Sequence, residues 1–306
     1  MSENQEQQVS VFSPFNQNTR VRACHYYAKP DPLDFVFSGV LAGSVAAIVA
    51  PGSTGKGFFS LGVCFDMYTG QDKLGLGIPK LEAGGRVAFV TAEDQADVIG
   101  HRIHSLIKHY NMSSDDVVLM DETVHFISLT GEIILNLVDG QGNVNYTLAN
   151  QMINEYKGYR LIFMDTLART HTANENDNGD MTTLISVFEY IAKNTGAAFV
   201  FIHHTNKGAT LNGQGDSAGA ARGAASITDN IRCQLNLSKV TQDEAVDMNL
   251  AESERHKYLW LHNSKVNYSE TNPARLMVRG EGGVLSAYKN PHSYAEGAKI
   301  CQFQKG

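Results

Sequence analysis

The most specific chemistry in the chain lies in one run, Ala-Pro-Gly-Ser-Thr-Gly-Lys-Gly, from Ala50 to Gly57. Glycines in such a run let backbone N–H groups close around phosphate oxygens at a helix N-terminus. Lys56 adds a point charge suited to the β- and γ-phosphates of a nucleotide. Pro51, Gly52, Ser53, Thr54, Gly55, Lys56, Gly57 and Phe58 are therefore the expected phosphate-binding segment. The P-loop pattern G-x-x-x-x-G-K-[ST] is met with two departures. Ala50 stands where the first glycine belongs, and Gly57 stands where a hydroxyl usually binds Mg2+.

Further groups that could act on a phosphate fall at the ends of apolar runs. Asp165 ends Arg160–Asp165, the Walker-B arrangement, in which a carboxylate holds Mg2+ directly or through water. Glu93 follows Arg86–Thr91, placed to align and deprotonate an attacking water. Asp94 competes for that role, and Glu93 is preferred for its longer reach and its place nearer the strand end. His203 and His204 end Ala198–His204. Strand alternation lets one of the pair face the site, and His204 is preferred, with His203 as its packing partner. Beyond them Thr205–Gly223 is long, glycine-rich and nearly free of bulky residues, with Lys207 and Arg222 as its cations. It reads as a channel-lining loop if subunits form a ring, or as a mobile lid. Arg222 and Lys265 are candidates to reach a phosphate in a neighbouring subunit.

The elements that must position these groups alternate in type. Val45–Ala50 reads as a buried strand and Phe58–Tyr68 as an apolar helix. Strands follow at Arg86–Thr91, Val124–Leu129, Arg160–Asp165 and Ala198–His204, with helices at Gln95–Tyr110, Thr147–Tyr156 and Asp180–Thr195 between them. On the first of these helices Val98, Ile99, Ile103, Leu106 and Ile107 share one face. Such alternation implies an α/β fold with a mostly parallel central sheet covered on both sides. Ile231–Lys239, Lys257–Asn267 and Leu276–Ala287 read as a C-terminal antiparallel extension, with Gly280, Gly282 and Gly283 as hairpin punctuation. Residues 1–30 read as an arm or a disordered tail, 31–288 as the domain, and 289–306 as a tail.

Composition sets wider bounds. A chain of 306 residues with 42% hydrophobic content can bury one large core. A net charge of −7 offers no global basic field for nucleic acid, although a narrow channel needs only a few cations repeated around a ring. The scattered cysteines, Cys24, Cys64, Cys233 and Cys301, form neither a metal spacing nor a disulfide framework. With a polar N-terminus and no long apolar run, they point to the cytoplasm and away from a membrane.

The ordered series of motifs resembles the RepA-type hexameric replicative helicases of plasmids, within the RecA-like P-loop ATPases. The residues that carry it are Ala50–Gly57, Ala92-Glu-Asp94, Met164-Asp-Thr-Leu-Ala-Arg169, Ile202-His-His-x-x-Lys-Gly208, Ala221-Arg-Gly-x-x-Ser226, Asp229-Asn-Ile-Arg232 and Ser264-Lys-x-Asn-Tyr268. The resemblance covers residues 30–288. It implies a ring-forming homo-oligomer that hydrolyses ATP with Mg2+, acting on single-stranded DNA, with a replication initiator as a possible partner. It implies Lys56, Glu93, Asp165 and His204 in cis and Arg222 from the neighbour, with Asp165 the metal ligand. Gly57 departs from the family's Ser or Thr, so Mg2+ affinity and turnover are expected to be reduced, and serine at position 57 to raise them. The alternative is a nucleotide-dependent assembly or regulatory ATPase with weak hydrolysis and no unwinding. The departure at Gly57 and the low basicity give it more weight than the motif series alone would, while the helicase stays the preferred reading.

Overall fold

The structure is a computed structural model that describes residues 21–131, 135–204, 224–270 and 272–288. Contacts divide the chain between Leu33 and Asp34 into two units. The described part of the first holds a single 3-10 turn, Ala23–Tyr26. The second unit holds the sheet. Its strands are β1 (Phe35–Phe37), β2 (Val40–Leu41), β3 (Val45–Ala50), β4 (Arg86–Thr91), β5 (Val124–Ser128), β6 (Tyr159–Asp165), β7 (Ala198–His204), β8 (Cys233–Lys239), β9 (Tyr258–Val266), β10 (Arg275–Arg279) and β11 (Leu285–Ala287). Its helices are α1 (Lys56–Thr69), α2 (Ala96–Tyr110), α3 (Ser114–Met120), α4 (Tyr146–Glu155), α5 (Asn178–Thr195), α6 (Ala224–Asn230) and α7 (Gln242–Asp247).

β1 and β2 form a small antiparallel pair. The main sheet runs β11-β10-β9-β8-β3-β7-β6-β4-β5. From β8 to β5 every pairing is parallel, and from β8 to β11 every pairing is antiparallel. The expected architecture, a mostly parallel α/β sheet flanked by helices with an antiparallel C-terminal extension, is the one observed. β7 lies between β3 and β6, so the strand feeding the P-loop and the strand ending in Asp165 are one strand apart.

Strand alternation sorts the core into two layers. Ala46, Ile48 and Ala50 of β3, Val87 and Phe89 of β4, Leu161 and Phe163 of β6, and Val200 and Ile202 of β7 pack with α1 and α2. Their neighbours Val45, Ala47, Val49, Ala88, Val90, Ile162, Met164, Phe199 and Phe201 pack with α4 and α5. α1 is apolar almost all round because it is buried: Phe59, Leu61, Val63, Cys64 and Phe65 are sealed from solvent. Truncating a ring such as Phe59 or Phe163 to alanine should cost about 3–5 kcal/mol.

Some details differ from the sequence reading. Val98 is 40% exposed, outside the buried stripe of α2, which is formed by Ile99, Leu106 and Tyr110. Leu276–Ala287 is the hairpin that its glycines mark, β10 and β11 joined by the 3-10 turn Glu281–Gly283, so that span agrees with the sequence reading. α3 was not expected. Its capping box, Ser113 with Asp116, starts a short helix whose Val118 and Leu119 face solvent. Cys24, Cys64 and Cys233 are free thiols, with Cys64 and Cys233 buried. Among the described residues no helix is long and apolar enough to cross a membrane.

Candidate nucleotide site

β3 ends at Ala50, and the chain turns through Ser53 (φ 59°) and Gly55 (φ 102°) into α1. The left-handed conformation at Gly55 favours glycine. A Cβ there would also lie 3.2 Å from Leu285 and 3.3 Å from Arg279, both in the antiparallel extension. Arg279 Nη2 donates to the Thr54 carbonyl at 3.2 Å, so β10 braces the loop from outside. Within the loop, Thr54 Oγ1 donates to the Pro51 carbonyl at 2.9 Å. Lys56 is buried. Its Nζ donates to the carbonyls of Ala50 (3.1 Å) and Pro51 (3.0 Å) and lies 3.3 Å from His204 Nδ1.

The parallel register brings the strand ends to one edge. Ala50 pairs with His204, Ile202 with Asp165, and Asp165 with Thr91. Asp165 follows Leu161 and Phe163 at a period of two, and His204 follows Val200 and Ile202, so both point to the α1 side. His203 takes the opposite parity and is 2% exposed. His204 Nε2 lies 3.9 Å from Glu93 Oε2, which places the imidazole between Lys56 and Glu93. Thr91 Oγ1 accepts from the N–H groups of both Glu93 and Asp94 at 3.2 Å, and Ala92 N–H donates to the Asp165 carbonyl at 2.7 Å. Ser128 and Thr130 hydroxyls donate to the Asp94 carbonyl at 2.9 and 3.0 Å. The turn that presents Glu93 is thereby fixed on several sides.

Burial dominates the electrostatics. It pushes the Asp165 carboxyl up to about 7; Glu93 and Asp94 add to the rise, while Lys56 and Arg102 oppose it. Burial also holds Lys56 below the usual lysine range, against the attraction of Asp165 and Glu93. Each buried charge is costly, and each partly offsets the other's cost.

Asp94 is engaged elsewhere. Its Oδ2 accepts from Arg102 Nη1 at 2.6 Å, across the start of α2. The same guanidinium lies on Gly57: a Cβ built there would stand 2.7 Å from Nη1. Arg102 and Arg279 are residues the sequence reading leaves out. An Asp and an Arg eight positions apart carry no recognised spacing, and neither arginine belongs to a local motif.

P-loop ATPases usually bind nucleotide together with Mg2+, and the donors here suit that ion incompletely. Asp165 is in place, but position 57 offers no side-chain oxygen and carries a cationic neighbour. The Thr54 hydroxyl is turned to Pro51, and the Ser60 hydroxyl is buried without a partner. Among the described residues no group of three or more His, Cys, Asp or Glu is arranged to hold a metal. The usual ligand set is one oxygen short.

Of the expected groups, Lys56, Glu93, Asp165 and His204 converge, while Lys207 and Arg222 lie outside the described residues. Lys265 Nζ donates to the carbonyls of Thr228 (2.6 Å) and Asp229 (3.2 Å), so it caps the end of α6. A phosphate-binding turn, a buried lysine and strand-end carboxylates form a site for nucleotide phosphates. Residues 13–210 match the family model described as an AAA domain, and the chain belongs to that family of nucleotide-binding P-loop ATPases.

Proposed function

We propose that the protein is a ring-forming RecA-like ATPase that couples ATP hydrolysis to movement on single-stranded DNA, as a replicative helicase of the RepA type. The observation that carries this reading is His204, which touches both Lys56 and Glu93 and is the last residue before the glycine-rich segment 205–223. A change at the phosphates is thereby linked to the segment that would meet DNA.

In this reading Lys56 exchanges its carbonyl partners for the β- and γ-phosphates. Glu93 orients and deprotonates the attacking water, and the water oxygen forms the new bond to the γ-phosphorus as ADP leaves. Asp165 stands buried beside Lys56 and balances its charge. Arg222 of a neighbouring subunit completes the site, where such arginines contribute about 10³–10⁵ in rate. The motor spans residues 31–288, and Lys207 is the cation that contacts the strand.

The test is an ATPase assay with and without single-stranded DNA, with fork unwinding and oligomer mass measured in parallel. Stimulation by DNA, unwinding and a nucleotide-dependent hexamer are expected. ATPase indifferent to DNA, with Lys207→Ala without effect, would sink the helicase reading. Gly57 under Arg102 favours a second reading, an assembly or regulatory ATPase with slow turnover. That protein would form the oligomer but leave forks intact.

A further inference from the structure

Gly57 and Arg102 are complementary in a way that neither shows alone. Position 57 is the second residue of α1, directly after the P-loop lysine. Its missing side chain leaves a space, and Arg102 Nη1 fills it, 2.7 Å from where a Cβ would be. A serine hydroxyl would project further still into the guanidinium. The two features exclude each other: a hydroxyl at 57, or Arg102 in its present place. The hydrogen bond to Asp94 and the face of the Phe58 ring, 5.9 Å from Cζ, hold the guanidinium. Its remaining N–H donors have no partner among the described residues. Arg102 also lines an open cleft of about 340 Å3 with Phe58, Val98, His101, His104, Ser105 and Gly282, and its side chain is 25% exposed. It is close enough to Asp165 to oppose the rise of that carboxyl.

We propose that Arg102 contacts the phosphates of the bound nucleotide, and that its guanidinium supplies beside Gly57 the positive charge that a hydroxyl-held Mg2+ ordinarily supplies. The proposal rests on the nucleotide-binding reading of the P-loop. An arginine suits the position, since its planar fork presents several donors to phosphate oxygens and stays charged at any accessible pH. It follows that nucleoside triphosphate binding in this protein depends little on divalent cations.

The experiment is equilibrium binding of a fluorescent ATP derivative to the full chain, in Mg2+ and in EDTA. The wild type should lose less than about tenfold in affinity when Mg2+ is chelated. Arg102→Ala should bind about 10- to 100-fold more weakly in EDTA, the range for charge-assisted hydrogen bonds. The double variant Gly57→Ser with Arg102→Ala should regain affinity in Mg2+ alone. Arg102→Lys keeps the stem and one charge and guards against loss of folding; it should lie between wild type and alanine in EDTA. Arg102→Ala binding as the wild type does in EDTA, or a wild type that binds only with Mg2+, overturns the proposal. Lys56→Ala separates the two levels. If it loses binding while Arg102→Ala does not, the role of Arg102 fails and the P-loop reading stands. If it binds as the wild type does, both fall.

Discussion

The wall of the site formed by β6 and β7 and the corner formed by α1 and α2 hold charge in opposite ways. In the wall, Asp165 and His204 sit at the ends of parallel strands whose register is fixed by backbone hydrogen bonds. Asp165 is 6% exposed and its carboxyl is displaced far from its ordinary range. In the corner, Asp94 and Arg102 are joined by a single ion pair between side chains that are each 25% exposed, and Gly57 contributes only an absence of atoms. A pair with that exposure contributes about 0–1 kcal/mol. The difference separates rigid from adjustable parts: the sheet imposes strong fields at fixed points, while the helix corner can re-form around whatever the P-loop holds.

The comparison breaks most visibly in the wall. Lys56→Ala should lower turnover by about 10²–10³ or more, since a preorganised charge on the reacting phosphate is lost. Glu93→Gln should lower it by about 10²–10⁴ with nucleotide binding retained, the signature of a lost general base. Steady-state turnover beside equilibrium binding separates the two variants. Glu93→Gln with wild-type turnover would return the base role to another group, and Asp94 would then have to leave Arg102.

Next in size is the pH dependence of stability set by Asp165. Its folded value is about 7 against an ordinary 3.8. At pH below about 4 the group is protonated in both states and folding gains nothing or loses nothing by it. As pH rises from about 4 to about 7 the unfolded chain ionises while the folded chain keeps its proton. The folded state binds more protons there, so stability falls, and above about 7 the loss is constant. The ceiling is about 4 kcal/mol. Asp165→Asn removes the effect, less what Lys56 loses with its counter-charge. The melting temperature of the variant should therefore rise over that of the wild type between pH 4 and 7 and then keep a constant lead. A lead independent of pH would contradict the assignment.

The wall was legible in the sequence and the corner was not, for a physical reason. Val45–Ala50, Arg86–Thr91 and Ala198–His204 are largely apolar runs, and each forms a strand with those bounds. Parallel strands deliver their C-terminal residues to one edge, and a period of two lets only one of His203 and His204 face the site, without saying which. A contact between α1 and α2 has no such rule. Arg102 meets Gly57 because of how two helices lie on the sheet, which no local pattern encodes. α3 was missed for a related reason: Val117, Val118, Leu119 and Met120 resemble a buried run, yet only Met120 is buried. The bracing of the P-loop by Arg279 likewise depends on where the antiparallel strands fold back.

The smallest expected effect sharpens the corner itself. Gly57 lies in the first turn of α1, where alanine in place of glycine should stabilise by about 0.5–1 kcal/mol through reduced backbone entropy. Against that stands the Cβ contact with Arg102 Nη1 at 2.7 Å, which something must yield to relieve. The yielding atom is the far end of a flexible side chain, so the cost is the weakened Asp94 pair and some ordering, of the same size as the gain. Gly57→Ala alone should then change the unfolding free energy by less than about 0.5 kcal/mol, whereas in an Arg102→Ala background it should show the full helix gain. The double-mutant cycle therefore yields a coupling of about 0.5–1 kcal/mol, read from denaturant midpoints at unchanged m-values. Additive substitutions would mean that the guanidinium does not rest on Gly57 in solution, and the corner would then be free to accept a side chain at that position without rearrangement.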